Sequence, residues 1–139
     1  TKEELFKAVV RNVVVRRVDA LIDIADTTEL SSEDFVRGPV CEFLKQVPGS
    51  PVAVIVRLLI AEGPKHPDLL EFYHRNVVSK GLATVQNTIA RGIARGEFRA
   101  SAVDNLMSII WGILFTKKSL DTDKLIETQL DMLLHYIKA

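Results

Sequence analysis

The chain has 139 residues, 47% of them hydrophobic, and its 18 basic side chains balance 18 acidic ones. That length suits one domain with a proper core, and the composition excludes an intrinsically disordered chain. A domain that holds nucleic acid by itself usually carries a basic surplus, and this chain has none. Taken in chain order, Thr1-Lys2-Glu3-Glu4 matches a capping box, with Thr1 as the cap and Glu4 as the returning carboxylate, and predicts a long first helix to about Asp26. Ser31-Ser32-Glu33-Asp34 starts a second helix, which Gly38-Pro39 should kink or interrupt before it ends near Val47. Ser50-Pro51 pairs a cap with proline in the first turn and predicts a third helix to about Glu62. Pro67 begins a fourth helix running to about Arg95, Ser101 with Asp104 opens a fifth, and Asp121 or Thr122 opens a sixth. No stretch alternates with the period of a strand. The expectation is therefore an all-α, six-helix bundle over residues 1–139.

Several function classes fall away. Cys41 is the only cysteine, so no internal disulfide is possible, which fits a reducing cytoplasm. The longest apolar run, Ile109 to Phe115, is too short to span a bilayer, and the first residues do not resemble a secretory signal. There is no nucleophile elbow, phosphate loop, paired-histidine zinc motif or cysteine pair, so neither an enzyme nor a cofactor is expected. Glu62, His66 and His74 form the best metal trio, but Pro64 and Pro67 intervene and no helical spacing holds them, so no metal site is expected.

On a helical wheel at about 100° per residue, the first helix groups Phe6, Val10, Val13, Leu21 and Ile24, with Arg17 in their midst. Such an arginine either snorkels or pairs with a buried carboxylate, or lines a cavity and meets an acidic or carbonyl-bearing ligand. The fourth helix groups Leu70, Val77, Val78, Leu82, Val85 and Ile89, and His74, Gly81 and Gly92 share that face. His74 reads as a core histidine bonded to a carbonyl or as a pocket histidine, with Gly81 leaving room for something other than a side chain. On the fifth helix, Asn105, Ser108, Gly112 and Thr116 form a small-polar stripe, and Trp111 packs in the core, lines a pocket or anchors an interface. VAVIVRLLI and LMSIIWGILF, in the third and fifth helices, are apolar almost all round, which implies burial on more than one side. In the last two helices that excess suggests a partner subunit.

The segment IARGIARGEF, residues 89–98, places Gly92 and Gly96 beside Arg91 and Arg95. No strand precedes these glycines, which argues against a phosphate cradle. Gly96 suits the left-handed position just past a helix end, with a positive φ, and Phe98 can fold back as an apolar latch. Gly92 is expected to be helical and to thin the buried face.

TKEELFKAVV resembles the segment that, in the tetracycline-repressor (TetR) family, begins the long linking helix after the DNA-recognition helix. RLLIAEGPKHPDLLEFYHRNVV resembles the regulatory core of many members, and IARGIARGEFR the end of their following helix. The resemblance implies the ligand-binding and dimerisation domain of a bacterial transcriptional repressor. It also implies that the helix-turn-helix head is absent from this chain, so that operator DNA is a partner only through that head. A small, mostly apolar effector would enter the helical core. Phe6, Val10, Arg17, Cys41, Ile55, His74, Val78 and Trp111 are the pocket candidates by face position. The last two helices would form a four-helix interface in a homodimer, with Ile110, Ile113, Ile126, Leu130, Leu133 and Ile137 as its stripe. The rival reading is a stand-alone helical interaction module without a small ligand.

Overall fold

A computed structural model describes residues 1–99 and 122–138. Helix α1, residues 2–27, runs unbroken through Lys2–Val9, a π-helical Val10–Val15 and Arg16–Thr27. The Thr1 hydroxyl accepts the Glu4 amide, and the Glu4 carboxylate completes the expected capping box. Helix α2, residues 32–45, joins Ser32–Phe35, a π-helical Val36–Val40 and Cys41–Lys45. Helix α3, Pro51–Glu62, starts where the Ser50 hydroxyl accepts the Val52 amide, and a 3-10 turn, Gly63–Lys65, follows it. Helix α4, residues 67–94, joins Pro67–Tyr73, a π-helical His74–Val78 and Ser79–Ala94. Helix α5 is Thr122–Ile137. Among the described residues there is no strand, only a single bridge between Phe98 and Lys138. The chain is all-α, and the helix expected from Ser101 lies outside the described residues.

Local chemistry favours the wide turns. Pro39 has no amide hydrogen and its ring crowds the carbonyl four residues back. In α4 the Asn76 side-chain amide donates to the Phe72 carbonyl at 2.8 Å, taking the acceptor that a regular turn would offer the Asn76 backbone. In α1 the run Val13-Val14-Val15 crowds β-branched side chains against the preceding turn.

The core has two parts. One gathers Val10, Val14 and Val18 of α1, Val52, Ile55 and Leu59 of α3, with Val47 and Val77. The other packs Ile126, Leu130, Leu133, Leu134 and Ile137 of α5 against Val36, Cys41 and Leu44 of α2, Ile89 of α4, and Phe98. Phe43 touches both. Each such Leu or Ile contributes about 2 kcal/mol when fully buried. Ile126, Leu130, Leu133 and Ile137, expected in an interface, are buried within their own chain. The apolar stripe of α5 is used against α2, and the stripe on the preceding helix, with Ile110 and Ile113, lies outside the described residues.

Polar contacts fix the helix ends around this core. The buried Ser32 hydroxyl donates to the Thr88 carbonyl at 2.9 Å. The Glu97 carboxylate accepts the Ser32 and Glu33 amides at 3.2 and 3.4 Å, so a side chain beyond α4 caps α2. Arg91 donates to the Ala25 carbonyl at 2.8 Å. Between α2 and α5, Arg37 joins Glu33 and Asp131, and Lys45 joins Glu42 and Glu127.

α4 ends as the sequence predicts. Gly96 has φ +77°, its amide donates to Ile93, and the Glu97 amide donates to Gly92, the paired bonds of a Schellman motif. Gly92 is helical, and the Phe98 ring lies so close that a Cβ on Gly92 would stand 2.2 Å from it.

Candidate functional site

Between the two parts of the core lies a cavity of about 160 Å³. α1 supplies Val14, Val18, Leu21 and Ile22 to its wall, and α2 supplies Phe35, Val36, Val40, Phe43 and Leu44. Val52 and Val56 come from α3, and Leu130 from α5. α4 contributes most, from Tyr73 through Val77, Val78, Gly81, Leu82, Thr84 and Val85 to Thr88. Among the described residues, no lining residue is charged. An added Cβ on Gly81 would meet none of the described residues within 4 Å, so this glycine leaves open space beside them. All three π-helical segments reach the wall, through Val14, through Val36 and Val40, and through Val77 and Val78. Such wide turns recur at functional sites.

The polar atoms of the lining are few and mostly engaged. The Thr84 hydroxyl donates to the Lys80 carbonyl at 3.0 Å and the Thr88 hydroxyl to the Thr84 carbonyl at 2.8 Å. The Tyr73 hydroxyl makes no hydrogen bond among the described residues. Burial pushes its phenol up to about 12, so it stays protonated. Cys41 is buried beside α5 and its thiol is pushed up by burial, which makes it a packing residue, not a nucleophile.

Of the residues expected to line a pocket, Val78 does. Phe6, Val10 and Ile55 pack in the core around α1 and α3, and Cys41 packs in the other part. Trp111 lies outside the described residues. His74 is exposed, with Nδ1 3.4 Å from the Ser79 hydroxyl, and does not line the cavity. Arg17 is half-buried and also off the wall; one of its guanidinium nitrogens is buried without a hydrogen bond among the described residues.

The wide turns explain these displacements. A π-helical turn holds one more residue than an α-helical turn, so a wheel drawn through it loses about 100° of register. On α1 Val14 is buried within the π segment and Val18 and Ala25 after it, while Ile24, expected inside, is 44% exposed. Arg17 therefore leaves the centre of the face and Val18 takes it. On α4 the shift acts upstream: Leu70 is 41% exposed and His74 turns out with it. Sequence reasoning missed Tyr73 and the α2 wall. The signals that could have found them were Pro39 inside a helix and Asn76 placed to compete for a backbone carbonyl.

A second, more polar depression lies between α1 and α4, but its two cations are occupied: Arg91 binds the Ala25 carbonyl and Lys80 binds Asp19. Among the described residues no cluster of His, Cys, Asp and Glu could hold a metal, and no helix is long and apolar enough to cross a membrane. No curated protein and no solved structure matches the chain. One family model, described as "Tetracyclin repressor-like, C-terminal domain", matches residues 36–137.

Proposed function

Because the chain belongs to the tetracyclin repressor-like C-terminal domains, we propose that it is the effector-sensing half of a transcriptional repressor, with the cavity between its two core parts as the effector site. Domains of this family generally dimerise and bind small effectors, in the service of transcription regulation. In this reading a small, mostly apolar effector enters the cavity and favours one arrangement of the helices around it. A dimer in that arrangement no longer holds paired helix-turn-helix heads at the spacing of successive major grooves, and operator DNA is released. The effector acts only through its different affinity for the two arrangements.

The observation that supports this reading best is an uncharged cavity of about 160 Å³ inside a small bundle, with a glycine turned toward it. Protein interiors are close-packed, and voids larger than a water are few; an apolar void of roughly 150 Å³ stays dry and takes up a guest the size of benzene. The homodimer would form through the outward face of α5, where Met132 is 67% exposed, together with the preceding segment that carries Ile110 and Ile113.

Thermal-shift measurements with neutral hydrocarbons of benzene to naphthalene size test the site. A ligand that binds only the folded state raises the midpoint. The wild-type protein should respond and Gly81→Leu, which fills the cavity, should not. Equal responses would place the binding elsewhere, and no response in either protein would favour an interaction module.

A further inference from the structure

We propose that Tyr73 is the polar anchor of the cavity, and that its effector is a compact, neutral, mostly hydrocarbon molecule bearing one hydrogen-bond-accepting oxygen, such as a ketone or ester carbonyl. The inference rests on the reading of the cavity as the effector site and narrows the chemistry that site accepts.

Three observations carry it. Among the described residues the lining holds no charged side chain, so a carboxylate or ammonium inside would stand desolvated beside this wall without a counter-ion, which disfavours fatty acids and amines as tight occupants. The two threonine hydroxyls of the wall already donate to carbonyls of their own helix. Tyr73 remains, half-buried and lining the cavity with a hydroxyl that makes no hydrogen bond among the described residues. A donor facing an apolar wall gains a bond when a ligand brings an acceptor to it. A water molecule is a poor substitute, because it needs two to four polar partners and the described part of the wall offers one uncommitted hydroxyl. The phenol, held neutral by its burial, is a donor throughout the physiological range. Tyr73 also adjoins the π-helical His74–Val78 segment, so the anchor sits where α4 departs from regular geometry.

The test uses matched probes in which a carbonyl oxygen is exchanged for a methylene group: acetophenone against α-methylstyrene, and cyclohexanone against methylenecyclohexane. Affinities are measured by calorimetric titration on the wild-type protein and on Tyr73→Phe, which keeps the ring. The expected result is that Tyr73→Phe weakens the two carbonyl probes by roughly fivefold and leaves the two hydrocarbons within about twofold. Bound acetophenone should also show its carbonyl stretch below the frequency it has in hexane, a readout on the wild-type protein that needs no variant. If all four probes bind and the substitution changes none of them, with no carbonyl shift, the anchor is refuted while the effector site stands. If none of the four binds the folded wild-type protein, both are refuted.

Discussion

Gly81 and Gly92 share one helix but face different neighbours. A Cβ at Gly81 meets nothing within 4 Å, whereas at Gly92 it would press on the Phe98 ring. Gly81→Ala should therefore stabilise the fold by about 0.5–1 kcal/mol, the usual gain from replacing a helical glycine. Gly92→Ala should destabilise it by about 1–3 kcal/mol, the usual range for overpacking a core. Chemical denaturation of both variants checks the opposite signs, and a double substitution with Phe98→Leu should recover part of the loss at Gly92. Tyr73 makes a prediction about alkaline pH. Its folded phenol is raised by burial to about 12, above an unfolded value near 10. The stabilisation that comes with the neutral form is complete below pH 10 and is lost as pH rises toward 12. Tyr73→Phe should flatten that part of the stability profile, as followed by urea denaturation across the alkaline range.

Among the elements, the capped starts and stops were the most legible part of the chain. Thr1 with Glu4, Ser50 with Pro51, and the Arg95-Gly96 ending all act through local hydrogen bonds that a few neighbouring residues determine. The register of the faces was not legible, because it depends on where a helix widens. The helical wheel put Val13 on the apolar face, yet Val14 is buried and lines the cavity while Val13 is half-buried. Only packing against α3 and α4 distinguishes them. The cap on α2 was likewise hidden, since Glu97 is more than sixty residues away from the amides it accepts. Ser32 completes that joint by bonding the Thr88 carbonyl in a buried setting. Ser32→Ala should lower stability by about 1–2 kcal/mol, and hydrogen exchange should show faster opening at the start of α2 and the end of α4 than in α3. A uniform change across all the helices would mean that the joint is not local.

On the scale of the whole molecule, the family was readable from three segments in the right order, and the family match over residues 36–137 bears that out. The cavity was readable only as a position, through Val78 and Gly81 on α4, because the α2 wall has no period of its own once Pro39 interrupts it. What covers the apolar stripe on α5 was not legible for a different reason. An apolar face looks the same in sequence whether a second copy or the chain's own α2 covers it, and here α2 does. What α5 turns outward is Lys124, Thr128, Met132 and His135. Met132→Glu places a charge at the centre of that face. If the homodimer forms there, light scattering should show the variant shifting to monomer at concentrations where the wild-type protein is dimeric, while Thr128→Ser changes nothing.

The space between the two core parts also has a volumetric meaning. Unfolding removes internal voids, and pressure favours the state of smaller volume. The volume lost on unfolding scales with the void eliminated, and a cavity of about 160 Å³ adds to that void. The domain should therefore be unusually soft under compression for its size, and a bound guest or a leucine at position 81 should harden it. A few kilobars would read out an occupied core from an empty one without any knowledge of what the occupant is.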